Sequence, residues 1–144
     1  MATPSIEGTY WLVRRELPDG GVVEYPEIRG TFSYSGEYRH FSIVWRDEAG
    51  MLQSRCYVAR YTLTDKKYTE TTEYLIDGDE QTSTTRHEIA RMSASSPVTL
   101  DGDRIAFDLP QSFEKVLSIR MEFEGDRITT TAADLFVDQW ERVP

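Results

Sequence analysis

Two histidines and a scatter of strand carboxylates are the groups in this chain equipped for acid–base chemistry. His87 lies in Thr84-Thr85-Arg86-His87-Glu88-Ile89-Ala90-Arg91, where alternation puts it on the face of Ile89 and Arg91. On an inward face its imidazole, with an ordinary pKa of about 6.5, would suit a general acid or base. On an outward face it is a surface or hydrogen-bonded strand residue. Glu70 alternates with Tyr68, Thr72 and Tyr74, and a carboxyl buried among such rings is poised for proton abstraction because desolvation raises its pKa. Glu73, Asp77, Asp79 and Glu80 extend the acidic stretch and read as a solvated hairpin tip. His40 sits opposite Phe41 and Trp45 and reads as solvent-facing when those rings point inward.

Nucleophilic and metal chemistry find less support. Cys56 is the single cysteine, so a disulfide within the chain is excluded, and without a nearby base it reads as a half-buried strand residue. Two distant histidines and one cysteine are a poor start for zinc, which takes three or four ligands. No P-loop, Gly-x-Gly-x-x-Gly, Cys-x-x-Cys, His-Glu-x-x-His or Gly-x-Ser-x-Gly pattern occurs. No cofactor or metal is expected.

Binding chemistry is better provided for. Tyr34, Phe41, Trp45, Tyr57, Tyr61 and Tyr74 fall on neighbouring segments at parities that allow one shared face. Rings of this kind line sites for apolar ligands, with a few polar tips for orientation; packing of an ordinary core would also use them. Arginine recurs on the same segments, at 39, 55, 60, 91 and 120, and Arg39 shares parity with Phe41 and Trp45. An inward Arg39 would pair bidentately with a ligand carboxylate or with a neighbouring glutamate.

The elements that carry these residues are short and regular. Turn chemistry stands at Pro18-Asp19-Gly20-Gly21, Ser35-Gly36, Asp47-Glu48-Ala49-Gly50, Thr64-Asp65-Lys66-Lys67, Asp77-Gly78-Asp79, Asp101-Gly102-Asp103 and Gly125-Asp126, with weaker breaks at Ser95-Ser96-Pro97 and Pro110-Gln111-Ser112. A spacing of about 10 to 15 residues leaves no room for crossover helices, so consecutive strands are predicted to be antiparallel neighbours. Phe41, Ile43 and Trp45 alternate against His40 and Ser42; Leu117, Ile119, Met121 and Phe123 alternate, as do Ile105 and Phe107. Residues 111–115 alone would suit a helical turn. About ten antiparallel strands in one domain must close or fold over, since an open sheet of that size leaves two costly edges. Segments with two mixed faces, such as 68–74, suit a barrel with a partly polar interior better than a dry sandwich, where unpaired buried polar groups cost about 1–3 kcal/mol each.

The 144 residues are read as a single domain, long enough to bury roughly two-thirds of the unfolded surface. Acidic residues outnumber basic ones 25 to 16 for a formal charge of −9, and no basic run exceeds two residues. Nucleic acid and anionic membrane are therefore not expected as partners. Residues 1–7 carry neither a basic nor an apolar leader region, and the lone cysteine suits a reducing compartment, so a cytoplasmic location is expected.

The two ends carry a resemblance. Gly8-Thr9-Tyr10-Trp11-Leu12-Val13 opens the chain and Gln139-Trp140-Glu141-Arg142-Val143 closes it. Both resemble the bacterial lipocalin-like branch of the calycins, with tyrosine where that family usually places tryptophan. The resemblance implies an all-β fold: an antiparallel up-and-down barrel of about 8–10 strands, cup-shaped around a small, often apolar molecule. It gives Gly8, Tyr10, Trp11, Trp140 and Arg142 a structural role in barrel closure, with Arg142 over Tyr10 or Trp11 in a cation–π contact. The expected ligand-binding residues are Tyr34, Arg39, Phe41, Trp45, Tyr57, Tyr61 and Tyr74. The expected function is binding of a small hydrophobic or aromatic metabolite. The alternative is an enzyme on the same scaffold, a cyclase, isomerase or dehydratase for a polyketide- or terpenoid-like substrate, with His87 and Glu70 as catalytic groups. A third reading is a homodimer built through Trp45 or Trp140 at an exposed edge.

Overall fold

The computed structural model describes residues 5–110 and 118–144. Within them the chain forms twelve strands and no helix: β1 (Gly8–Glu16), β2 (Val22–Glu24), β3 (Arg29–Ser35), β4 (Tyr38–Arg46), β5 (Leu52–Leu63), β6 (Lys67–Asp79), β7 (Thr84–Glu88), β8 (Ser93–Asp101), β9 (Arg104–Asp108), β10 (Ile119–Glu124), β11 (Arg127–Ala132) and β12 (Phe136–Arg142). The helical turn expected at 111–115 and the inward Leu117 lie outside the described residues. Every ladder is antiparallel, and the order β12-β11-β10-β9-β8-β6-β5-β4-β3-β1 closes where β12 pairs with β1. The result is a ten-strand up-and-down barrel, with β2 paired to the upper part of β1 and β7 to the upper part of β6. Closure removes the exposed edges that a sheet of this size would otherwise carry.

Tight turns explain the connectivity. Gly20, Gly36, Gly50, Gly102 and Gly125 all adopt positive φ in the predicted reversals, a conformation glycine reaches without steric cost. Two predicted breaks are not turns. The reversal expected at Asp77-Gly78-Asp79 is strand: β6 runs on to Asp79, and Gly78 sits where a Cβ would press on the Ser54 hydroxyl of β5. Glycine there answers a close approach, not a turn. Ser95-Ser96-Pro97 lies within β8, where the strand changes partners: residues 93–97 pair with β6 and 98–101 with β9.

Two bulges set the parity of the barrel's upper half. In β1, Leu12 pairs with Trp140 and Arg14 with Gln139, so Val13 is an extra residue. In β6, Thr72 pairs with Ala59 and Tyr74 with Val58, so Glu73 is extra. Each insertion exchanges inward and outward positions beyond it. Tyr10 and Leu12 face inward below the first bulge, Arg15 above it; Tyr68, Glu70 and Thr72 face inward below the second, Leu75 above it.

The lower half is filled by rings. Tyr68 stacks on Phe107 with centroids 4.1 Å apart, Tyr34 meets Tyr61 edge-on at 4.7 Å, and Tyr10 lies 5.2 Å from Phe32. Phe123 touches the set through Tyr10, Tyr34 and Phe107. At the base, Arg142 places its guanidinium carbon 4.9 Å from the Tyr10 centroid, and its Nη1 donates to the Glu7 carbonyl. Tyr10 is the inward ring and Trp11 the half-exposed one. Gly8, with φ of +144°, leaves the space that the Arg142 guanidinium occupies. Trp140 is buried, its Nε1 donating to Thr130 Oγ1 at 3.1 Å. Neither Trp140 nor the half-buried Trp45 stands at an exposed edge, so the edge expected for a dimer through these rings is absent among the described residues.

Candidate functional site

Above the aromatic plug the barrel holds a cavity of about 280 Å³. Its floor is Phe32 and Trp140, which meet edge-on at 4.7 Å. Phe41, Ile43 and Trp45 come from β4, alternating inward as their spacing predicts, and Met121 and Phe136 close the opposite side. The wall is predominantly apolar, and its polar groups arrive mainly as ion pairs.

Three arginines take part. Arg15 reaches Asp138 with Nε at 2.8 Å and Nη2 at 2.9 Å, from directly opposed positions on β1 and β12, and its guanidinium lies 3.7 Å over the Phe136 ring. Arg55 forks onto Asp77 at 2.8 and 3.1 Å across β5 and β6. Arg39 reaches over Ala59, its in-register neighbour on β5, to Glu70 on β6, with Nη1 at 3.3 Å from Oε1. The small side chain at Ala59 gives it passage. Glu70 also accepts from Tyr57 at 2.6 Å and Tyr68 at 2.7 Å, and Tyr68 is 3.2 Å from the Tyr34 hydroxyl.

Burial dominates the electrostatics. Desolvation pushes the Tyr34 and Tyr68 phenols well above their usual range, because a buried phenolate beside Glu70 has no solvent to support it. Burial works to lower the Arg39 pKa, but the Glu70 carboxylate and the nearby tyrosines outweigh it and keep the guanidinium charged. Asp138 is raised by desolvation, which exceeds the opposing pull of Arg15. An acid raised on folding binds protons more readily when folded, so Asp138 favours the fold more as pH falls through its folded pKa and less above it.

Of the residues expected to bind ligand, Arg39, Phe41, Trp45 and Tyr57 line the cavity together. Tyr34 and Tyr61 belong to the plug beneath it. Tyr74 is corrected to the outer face: Glu73 is the bulge residue that turns it outward and brings Leu75 in. Arg39 faces a glutamate, one of the two partners its sequence position allowed.

Glu70 is 2 % exposed, as an inward strand acid should be, but both oxygens already accept hydrogen bonds from three donors. A proton acceptor there must first release one of them. His87 is exposed on β7, opposite Ile76, and is not part of the cavity lining. Ile89, on which its inward placement rested, is 77 % exposed. β7 lies outside the ten-strand ring, so alternation along it does not report on the interior. Cys56 is exposed on the outer face of β5, not half-buried, 3.5 Å from the Ser42 hydroxyl. Asp77, Asp79 and Glu73 are paired with Arg55, Gln53 and Arg60 respectively and do not form a bare acidic tip. Among the described residues, no group of three or more His, Cys, Asp or Glu side chains is placed to hold a metal ion.

Sequence reasoning missed Asp138, Arg15 and Thr130. Asp138 carried a usable signal, lying between Phe136 and Trp140 at their parity. Arg15 carried none, because only the bulge at Val13 turns it inward. Comparison of the chain with protein-family models, with curated proteins and with solved structures finds no match.

Proposed function

We propose that this protein is a lipocalin-like barrel that binds a small, predominantly apolar molecule in the upper half of its interior. The observation that carries the reading is the contrast between the two halves of one barrel. The lower half is filled by aromatic side chains, whereas the upper half leaves about 280 Å³ between Phe32, Phe41, Trp45, Phe136 and Trp140. Concave, aromatic-lined space with a few fixed polar groups is the usual form of a small-molecule site. No single observation favours catalysis on the same scaffold: Glu70 is held by three donors and His87 lies outside the cavity lining.

Titration with a neutral naphthalene probe, followed by tryptophan fluorescence, tests the proposal because Trp45 and Trp140 stand in the wall. Saturable quenching is expected. Ile43→Phe and Leu75→Phe, which add side-chain volume to the lining from β4 and β6, should each weaken it at least about tenfold, one such step being about 1.4 kcal/mol. Equal binding by these variants, with unchanged thermal melting, would place the probe elsewhere.

A further inference from the structure

We infer that the molecule held in the cavity is neutral and carries one carbonyl-type oxygen, which Arg39 receives. This rests on the ligand-binding reading above. It follows from comparing the three arginines in one wall. Arg15 and Arg55 each fork onto a carboxylate with two hydrogen bonds. Arg39, 7 % exposed, makes a single hydrogen bond of 3.3 Å to Glu70, and its Nε–H is enclosed without an acceptor. The reason is visible in Glu70, whose two oxygens are drawn to Tyr57 and Tyr68 at much shorter distances. A guanidinium has five N–H donors, and enclosing them unmet is unfavourable. The cavity wall therefore contains a charged donor group that the protein itself leaves under-used.

Thr130 adds a second donor. Its Oγ1 accepts from Trp140, which leaves the hydroxyl hydrogen available at the cavity floor. The acceptors in the wall are by contrast occupied: Glu70 by three donors and Asp138 by the Arg15 fork. A complementary ligand supplies an acceptor.

Charge decides which acceptor. Asp138 faces Arg15 and Glu70 faces Arg39, whereas Asp77 is shared by Arg55 and Arg86. A ligand carboxylate at Arg39 would enter beside Glu70 and have to share one guanidinium with it, and a buried charge without full compensation is strongly disfavoured. A ketone, aldehyde or amide oxygen takes the donor without adding charge. The volume, about that of nine waters at roughly 30 Å³ each, and the aromatic walls suit a flat body of one or two rings.

Calorimetric titration at neutral pH with acetylnaphthalene, ethylnaphthalene and naphthoate tests this. These probes share one body and differ in a neutral acceptor, no acceptor and an anion. Acetylnaphthalene is expected to bind at least about tenfold more tightly than either of the others, the size of one hydrogen bond to a charged group. Arg39→Met should bring acetylnaphthalene to the level of ethylnaphthalene while ethylnaphthalene changes by less than about threefold, a selectivity change that mere loosening of the fold would not produce. Because Arg39→Met strands the Glu70 carboxylate, Arg39→Met combined with Glu70→Gln is measured beside it, and the same loss of selectivity is expected. Tightest binding by naphthoate would overturn the neutral-ligand inference. Equal binding of acetylnaphthalene and ethylnaphthalene would overturn the role of Arg39 while leaving ligand binding intact. Failure of all three to bind the wild-type protein would overturn the ligand-binding reading itself.

Discussion

Glu70→Gln removes the charge that three donors share, and its cost can be worked from the geometry. The Arg39 side chain is 8 % exposed and that of Glu70 2 %, so solvent screens the pair little. Two unit charges 3.3 Å apart in an effective dielectric near 20 attract by about 5 kcal/mol. Measured losses on orphaning one buried partner run at about 3–5 kcal/mol. Glutamine preserves the shape and one acceptor oxygen, but sets an NH₂ group against a tyrosine hydroxyl that formerly donated, which adds about 1 kcal/mol. A loss of about 4–6 kcal/mol is thus expected against a total that for most domains is about 5–15 kcal/mol. Arg39→Met should cost a similar amount, since it leaves the carboxylate buried with only two phenols. The double variant should lose about 2–3 kcal/mol less than the sum of the singles, because the second change removes a charge that the first had stranded. Urea unfolding followed by tryptophan fluorescence reads all four proteins, provided the slope with denaturant is constant. Additive losses, or a Glu70→Gln loss below about 1 kcal/mol, would refute the claim that this pair is electrostatically coupled in a dry setting.

Gly8→Ala should destabilise by about 1–3 kcal/mol, because φ of +144° is strained for alanine and the new Cβ displaces the Arg142 guanidinium from Tyr10; thermal melting measures it, and probe affinity in the cavity should be unchanged. At alkaline pH, phenolate absorbance should rise in two phases. Tyr10, Tyr34, Tyr61 and Tyr68 all have pKa values raised by burial, so the folded state retains their protons and stability falls as pH climbs above the unfolded value of about 10. These four of the eight tyrosines should ionise together with loss of the folded near-ultraviolet dichroism; a single smooth titration with the fold intact would show the plug to be wet.

Much of the barrel is legible from alternation and turn chemistry. Phe41, Ile43 and Trp45 in β4, or Met121 and Phe123 in β10, face inward because period two holds from one turn to the next. The closure is legible at its ends, where Gly8 and Arg142 carry a backbone and a side chain that need one another. What was not legible shares a cause. Tyr74 shares parity with Tyr68 and Glu70 in sequence but not in space, and Arg15 shares none with Tyr10 yet lines the same interior. Neither Val13 nor Glu73 is a residue type that announces a bulge, so the parity changes leave no local mark. His87 fails differently: its strand alternates as the others do, but it pairs with only one neighbour among the described residues and lies off the ring. Alternation reports two faces of a strand and is silent on whether either of them encloses anything.

The ion pairs and the bulges explain each other. A buried pair is weak evidence for stability, since apolar residues of the same volume often serve as well or better. Its sharper effect is on alternatives. Arg15 stands two residues beyond the β1 bulge, and Glu70 and Asp77 flank the β6 bulge from below and above. Without the extra residue in β1, Arg14 would turn inward against Asp138 in place of Arg15. Without the extra residue in β6, Asp77 would turn out, away from Arg55. The first change would swap the arginine that faces Asp138 and the second would part Arg55 from Asp77, whereas the observed register makes both two-bond forks. The same register places Leu75 inward where Tyr74 would otherwise stand. A leucine is the smaller occupant, so the arrangement that satisfies the charges is also the one that keeps the upper half of the barrel open.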